Sequence, residues 1–229
     1  MELVEREKEI LKILEKLGKM DFILVGGYAV SSLAMHRFSV DCDLVVSNDL
    51  GKVKSILAKE GYTLQYKKDG FDTVYGGRFE NYTKKTNNVS VCVDLLIKSI
   101  VSRGTNASWS FEYIKKHSIV SKIGMPPIAC TVPERELLIA MKLHSGRKTD
   151  IRDIIMLLEG CDLEKMAKHI KRGDMKMLLG KIDSIIESLD DENLVDSLKG
   201  VFRLERDVKL DIKRSKNALL KIKKLLPQR

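Results

Sequence analysis

Cysteine is sparse in this chain, four residues in 229, and no two of them are close: Cys42, Cys92, Cys130 and Cys161. That scatter supplies neither a zinc-type ligand pair nor a disulfide framework, and a reduced, cytoplasmic setting is expected. Cys42 and Cys92 sit in strand-like segments, where a small buried thiol is the ordinary reading. Long apolar runs are also missing. No stretch approaches the roughly 20 residues of a membrane span, so no membrane partner is expected. The first seven residues are charged from the second position onward and lack the apolar core of a secretion signal. Internal repeats and low-complexity tracts are absent as well. What remains is 32% charged and 44% apolar, the balance of a soluble globular chain. Its length suits one large domain or two small ones.

Charge is the first positive signal. The formal net charge is +9, which fits an anionic partner such as a nucleotide or a nucleic acid. Much of the excess lies at the end: Lys209 to Arg229 holds eight Lys or Arg against one acid, Asp211. Composition alone reads such a tail as a solvated helix face.

Hydrophobic periodicity predicts a helix over 2–19, with Leu3, Ile10, Leu14 and Leu17 on one stripe. Phe22 to Val25 reads as a short strand ended by Gly26-Gly27, and Tyr28 to His36 as a second helix. A strand over Cys42 to Val46 and a helix over Leu50 to Glu60 follow. Between Tyr62 and Tyr82, Asp69-Gly70 and Gly76-Gly77 both look like hairpin turns. Val89 to Leu95 alternates with period two, as a strand with one buried face does. After Pro126-Pro127 the pattern becomes helical. Thr131 and Glu134 fit a capping box with Pro133 in the first turn. The last helix carries a stripe of Leu204, Val208, Ile212, Ser215, Leu219, Ile222 and Leu226. Lys213, Lys216 and Lys223 of that helix are expected to face RNA.

The chemistry concentrates between Phe22 and Val46. A strand ending in Gly26-Gly27 and passing at once into a helix aims backbone N–H groups and a positive helix end at one spot, suited to phosphate. Glycine there admits an anion close to the main chain. Asp41 and Asp43 are two apart on a strand, so both carboxylates leave the same face, a good arrangement for hard divalent cations. On the later strand Val89, Val91 and Val93 take one face and leave Asp94 on the other, with Ser90 and Cys92. Each piece alone is ordinary: Gly-Gly pairs are mostly turns, and Asp-x-Asp is common in solvated loops. Order and spacing together make the signal.

The combination Gly26-Gly27-Tyr28-Ala29 and Arg37-Phe38-Ser39-Val40-Asp41-Cys42-Asp43 resembles the signatures of the DNA-polymerase-β-type nucleotidyltransferase superfamily. Within it, the nucleotidyltransferase toxins of abortive-infection and toxin–antitoxin systems are the most similar group. Gly27 stands where many relatives have Ser, and Ser39 where Thr is usual. The run from Glu136 to Ile155 resembles the helix-turn-helix of those toxins, in which a Lys and a downstream Asp complete the site. Here these are Lys142 with Asp153, or with Asp150. From the residues alone, Lys142 among Leu138, Ile139 and Met141 either snorkels to water or faces an anion. Asp150 and Asp153 could equally serve the N-terminal dipole of their helix.

The change of pattern sets the domains, and the resemblance, over roughly residues 20–160, implies the type of sheet: an α+β fold with a nucleotidyltransferase-type mixed sheet and helices over residues 1–125, then an all-helical domain over 126–229. It implies transfer of a nucleoside monophosphate from an NTP to an acceptor, with Mg²⁺ or Mn²⁺ held by Asp41, Asp43 and Asp94. Gly26, Gly27, Arg37, Ser39 and Asp153 would bind the nucleotide. Asp94 would also help deprotonate the attacking hydroxyl, and Lys142 would act on the departing pyrophosphate without affecting stability. His36 and His144 are expected to be structural. The acceptor implied is tRNA or another RNA, or a protein, and the further partner a cognate antitoxin. The alternatives are a small-molecule acceptor, as in antibiotic-modifying relatives, and a catalytically silent binding module.

Overall fold

The computed structural model describes residues 2–86, 89–191, 193, 194, 196, 198, 200 and 211–227. Its elements are α1 (Glu2–Leu17), β1 (Phe22–Val25), α2 (Gly26–Leu33), β2 (Asp41–Val46), α3 (Leu50–Lys59), β3 (Thr63–Asp72), β4 (Gly77–Thr86), β5 (Val89–Ile97), β6 (Ser99–Ser102) and β7 (Ala107–Ser110). There follow α4 (Phe111–Lys116), β8 (Ser118–Ile123), β9 (Ile128–Pro133), α5 (Arg135–Ser145), α6 (Lys148–Leu157), α7 (Leu163–Ile170), α8 (Met175–Ser188) and α9 (Ile212–Leu225). The fold is α+β, with strands in the first part and, among the described residues after Pro133, helices alone. Two compact units divide the chain. Unit 1 comprises residues 1–32, 38–101 and 108–133; unit 2 comprises 33–37, 102–107 and 134–229. Unit 1 thus runs through the end of β9, past the change of pattern near residue 125.

Unit 1 is built on a five-stranded mixed sheet of order β1-β2-β5-β4-β3. β1 and β2 are antiparallel, β2 and β5 parallel, and β5, β4 and β3 antiparallel in turn. β5 alternates as its sequence requires: Val89, Val91, Val93, Leu95 and Ile97 are buried, and Ser90, Cys92 and Asp94 face the other way. Helix α1 lies against β5. Ile10, Ile13, Leu14 and Leu17 are at most 1% exposed, each contributing about 1.5–3 kcal/mol by leaving water. Leu3, expected on this stripe, is exposed instead.

Three local expectations are corrected. Helix α2 begins at Gly26 and ends at Leu33, short of His36. Asp69-Gly70 makes no turn; it lies inside β3, where the register shifts between Lys68 and Asp72. One hairpin turn remains, at residues 73–76. The shift lets the buried Asp72 accept hydrogen bonds from Ser99 Oγ at 2.5 Å, from Ser108 Oγ, and from the Val74 N–H at 2.9 Å. Thr131 and Pro133 form no helix start, because ladder pairing claims them: Thr131 lies opposite Val120 and Pro133 opposite Ser118. Glu134 is the residue before α5, and its carboxylate bonds Lys165 at 2.6 Å and His169 at 2.8 Å instead of a backbone N–H.

Unit 2 is organised around α5, which is buried on all sides from Glu136 to His144. It packs against α6, α7 and α8 and ends at Gly146, whose φ of 60° and N–H bond to the Lys142 carbonyl close the helix with a left-handed residue. A helix buried all round must satisfy every polar group it carries. Glu136 accepts from the Asp162 N–H at 3.1 Å. Helix α9 packs on α7 and α8 and, with Leu226 just past its end, buries Ser215, Leu219 and Ile222 of the expected stripe, while Ile212 is half-buried. Leu204, Val208 and Lys209 lie outside the described residues. Lys216 and Lys223, expected to face RNA, pair at the surface with Asp190 at 2.7 Å and Asp183 at 2.5 Å.

His144 illustrates the demands on α5. Its Nε2 lies 2.8 Å from the Ile170 carbonyl, so it must carry the proton, and Nδ1 then accepts from Thr105 Oγ1 at 2.7 Å. Burial pushes the imidazole down to about 4, against a smaller upward pull from the Ile170 carbonyl. Because the folded state holds the neutral ring, the unfolded chain binds the proton more readily as pH falls below 6.5. Stability should therefore drop by about 3 kcal/mol between pH 6.5 and 4. Urea unfolding across that range should show this limb in the wild type and a much flatter one in His144→Gln. Identical slopes would remove His144 from the account.

Candidate active site

The parallel pairing of β2 and β5 sets the geometry of the acidic residues. In its register Asp43 lies opposite Asp94, and Asp41 opposite Cys92. Residues in register on neighbouring strands leave the same face, as do residues two apart on one strand. Asp41, Asp43 and Asp94 therefore share a face, while Cys42, Leu44, Val91, Val93 and Leu95 are buried on the other. Exposure is graded: Asp41 is exposed, and Asp43 and Asp94 are half-buried.

Asp94 is held from the far side by a residue that sequence reasoning missed. Asn81 on β4 lies opposite it, and Asn81 Nδ2 donates to Asp94 Oδ1 at 2.6 Å. Thr83 Oγ1 donates in turn to Asn81 Oδ1 at 3.2 Å. One carboxylate oxygen of Asp94 is thus committed and its rotamer fixed. Burial raises the Asp94 carboxyl above its ordinary range; the Asn81 amide offsets part of this, and the charge of Asp41 adds to it. Asn81 sits on a strand whose even positions Glu80 and Tyr82 are buried, so its outward face was readable. Its partner was not, since that needed the β4–β5 register.

Gly26 approaches the Asp43 carboxylate. β1 pairs with β2 so that Val25 faces Asp43, and the next residue opens α2. Gly26 has φ +66°, and a Cβ built on it would lie 2.0 Å from Asp43 Oδ2 and 2.9 Å from Cγ. Glycine is required there twice over, by conformation and by space. The first turn of α2 carries no acid, so its free N–H groups and positive end open beside the Asp43 carboxylate. Tyr28, Ala29 and Val30 are buried and anchor the helix in the core. The Gly27 carbonyl accepts from Ser31 Oγ at 3.1 Å. Ser39 Oγ donates to the Asp41 carbonyl at 3.2 Å, tying down the approach to β2.

Arg37, Lys142 and Asp153 belong to unit 2 and form a group of their own. Arg37 makes a two-pronged contact with Asp153, Nε to Oδ1 at 2.7 Å and Nη2 to Oδ2 at 2.8 Å. Lys142 Nζ lies 2.6 Å from Asp153 Oδ2 and 3.0 Å from Asp150 Oδ1. Arg147 Nε reaches Asp150 Oδ2 at 3.0 Å, and the same oxygen accepts the Arg147 N–H at the start of α6. Lys142 is 5% exposed and each aspartate 1%. Its ammonium does not snorkel to water, and both aspartates support it. Burial alone would raise the Asp150 carboxyl, but the charges of Lys142 and Arg147 overcome it and hold it at about 2.

No protein-family model matches the chain, and no curated protein matches it. Among solved structures the chain is similar to the crystal structure of a "putative nucleotidyltransferase from H. pylori", at 20% identity and a TM-score of 0.46, covering 97% of this chain and 93% of that one. At that identity and score the likeness says nothing about the site or the activity.

Two substitutions test the geometry. Gly26→Ala must place a Cβ against Asp43 on a left-handed backbone and should cost about 1–3 kcal/mol in an unfolding experiment; a change within 0.5 kcal/mol would mean the approach is looser than described. Lys142→Ala removes the cation shared by two buried carboxylates, leaving Asp153 to Arg37 and Asp150 to Arg147, and should lose up to about 3–5 kcal/mol. The buried pairing replaces the expectation of unchanged stability with a predicted loss. An unaltered unfolding midpoint would contradict the buried pairing.

Proposed function

We propose that this protein is a metal-dependent nucleotidyltransferase that moves a nucleoside monophosphate from an NTP to an acceptor hydroxyl. One observation carries the reading: Asp41, Asp43 and Asp94 share one sheet face, with the start of α2 beside Asp43. The donor set consists of carboxylate oxygens, which suit hard Mg²⁺ or Mn²⁺ and not softer ions. Asp41, Asp43 and the uncommitted oxygen of Asp94 would hold the cation. When bound, such a cation supplies compensation for charge on the attacking and leaving oxygens.

The chain's own groups do the rest. The N–H groups opening α2 at Gly26 and Gly27 receive phosphate oxygens, and the missing Cβ of Gly26 keeps that approach clear. Asp94, raised by burial, is suited to take the proton of the attacking hydroxyl on the lone pair that Oδ1 retains beside its Asn81 bond, which leaves Oδ2 for the cation. Ser39 positions the start of β2 through the Asp41 carbonyl. The network of Lys142, Asp150, Asp153 and Arg37 has a structural role in unit 2, whatever charge it adds to catalysis. The net charge of +9 favours RNA as the acceptor. The motif resemblance supports a toxin paired with an antitoxin.

Incubation with each labelled NTP, Mg²⁺ or Mn²⁺ and total RNA, followed by gel and intact-mass analysis, should reveal one labelled acceptor. Asp94→Asn should slow transfer at least about 100-fold with unfolding stability unchanged or higher, since a half-buried carboxylate that feels the charge of Asp41 is removed. Transfer at the wild-type rate would end the assignment.

A further inference from the structure

The basic end of the chain divides into three faces on α9. Ser215, Leu219, Ile222 and Leu226 are buried. Lys216 and Lys223 are paired with Asp190 and Asp183. Lys213, Arg214 and Lys221 fall on the third face, and no carboxylate pairs with their side chains among the described residues. They line a pocket of about 700 Å³ that lies wholly in unit 2. Arg135 of α5 reaches it from another side. Its guanidinium is fixed by backbone carbonyls, Leu33 O at 2.9 Å and Glu159 O, and no carboxylate pairs with it among the described residues. Leu33, Ile155, Met156 and Leu163 supply an apolar wall.

Four cations and two acids, Glu159 and Asp211, line the space, leaving an excess of two positive charges. Asp211 is already engaged as the cap of α9, accepting the Arg214 N–H at 2.7 Å. Lysines on a helix face are usually only solvated. These differ because they converge with a backbone-pinned arginine on one concavity of ligand size. A carboxylate brings one negative charge, whereas a phosphate monoester brings about 1.5 to 2 at neutral pH and matches the excess. Arginine suits phosphate oxygens through its planar fork of donors. The apolar wall requires a body behind that charge.

We propose that this pocket binds a phosphate monoester with an apolar or planar body, about the size of a nucleoside monophosphate. The ester is either a free nucleotide or the 5′-phosphorylated end of a nucleic-acid strand. This site stands on residues of unit 2 alone and is independent of the carboxylates of unit 1.

Cys161 lines the same pocket and is half-buried, so it reports occupancy. The full chain, in the absence of divalent cations, is alkylated with iodoacetamide and Cys161 is followed by peptide mass spectrometry. The additions are AMP, adenosine, and an octanucleotide with and without a 5′-phosphate. AMP should slow labelling of Cys161, and adenosine should need about tenfold more to do so. Protection by the phosphorylated octanucleotide but not by the unphosphorylated one identifies a strand end; protection by AMP alone identifies a free nucleotide. Lys213→Glu with Lys221→Glu should weaken AMP binding by calorimetry at least about tenfold. Asp43→Asn with Asp94→Asn should leave the protection of Cys161 by AMP as in the wild type, so failure of the nucleotidyltransferase reading would not disturb it. Cys161 labelling indifferent to AMP and to the phosphorylated octanucleotide would overturn the proposal, even if the lysine variant failed to fold. Equal protection by AMP and adenosine would overturn it too.

Discussion

The parallel pairing of β2 with β5 is the constraint on which the candidate site depends. Parallel neighbours cannot be joined by a tight turn. Here the chain leaves β2 through α3 and the β3–β4 hairpin before returning as β5. Only then does Asp94, 51 residues after Asp43 in the sequence, come to lie opposite it. The register is fixed by apolar alternation. A slip of one residue on β5 would turn Val91, Val93 and Leu95 toward water and Asp94 into the core. Hydrophobic burial thus places the carboxylates, and their mutual repulsion is a cost the core overcomes. A tendency of such a row to attract a hard cation follows from the same repulsion.

Unit 2 solves a different problem with the same means. Helix α5 is buried all round and still carries Glu136, Lys142 and His144. Each is answered by a partner brought from elsewhere in unit 2: the Asp162 N–H, the Asp150 and Asp153 carboxylates, and Thr105 with the Ile170 carbonyl. Such groups specify one packing of the surrounding helices, since each alternative leaves a buried charge or donor unpaired. Arg37, at the end of the segment after α2, joins this group through Asp153.

Legibility in the sequence followed the range of the interaction. The two-residue spacing of Asp41 and Asp43, the alternation around Asp94 and the Gly26 strand-to-helix turn are local, and the residues alone revealed them. Asn81 was missed because its value lies in a cross-strand pair. Thr131 looked like a helix cap because cap chemistry is local, and the β8–β9 ladder that claims it is not. Asp69-Gly70 looked like a turn for the same reason. For Lys142 the residues alone left water or an anion, the resemblance named Asp153 or Asp150 as its companion, and the structure pairs it with both. The ion pairs of Lys216 and Lys223 were not foreseen because Asp190 and Asp183 lie far away along the chain.

The central claim is that three carboxylates on one sheet face hold a divalent cation together with a nucleoside triphosphate. Titration of Mn²⁺ by electron paramagnetic resonance, with and without a non-hydrolysable NTP analogue, addresses it most directly. The wild type should bind Mn²⁺ more tightly when the analogue is present, and Asp43→Asn with Asp94→Asn should abolish that gain while the protein remains folded. Equal Mn²⁺ binding by the wild type and the double variant would contradict the claim.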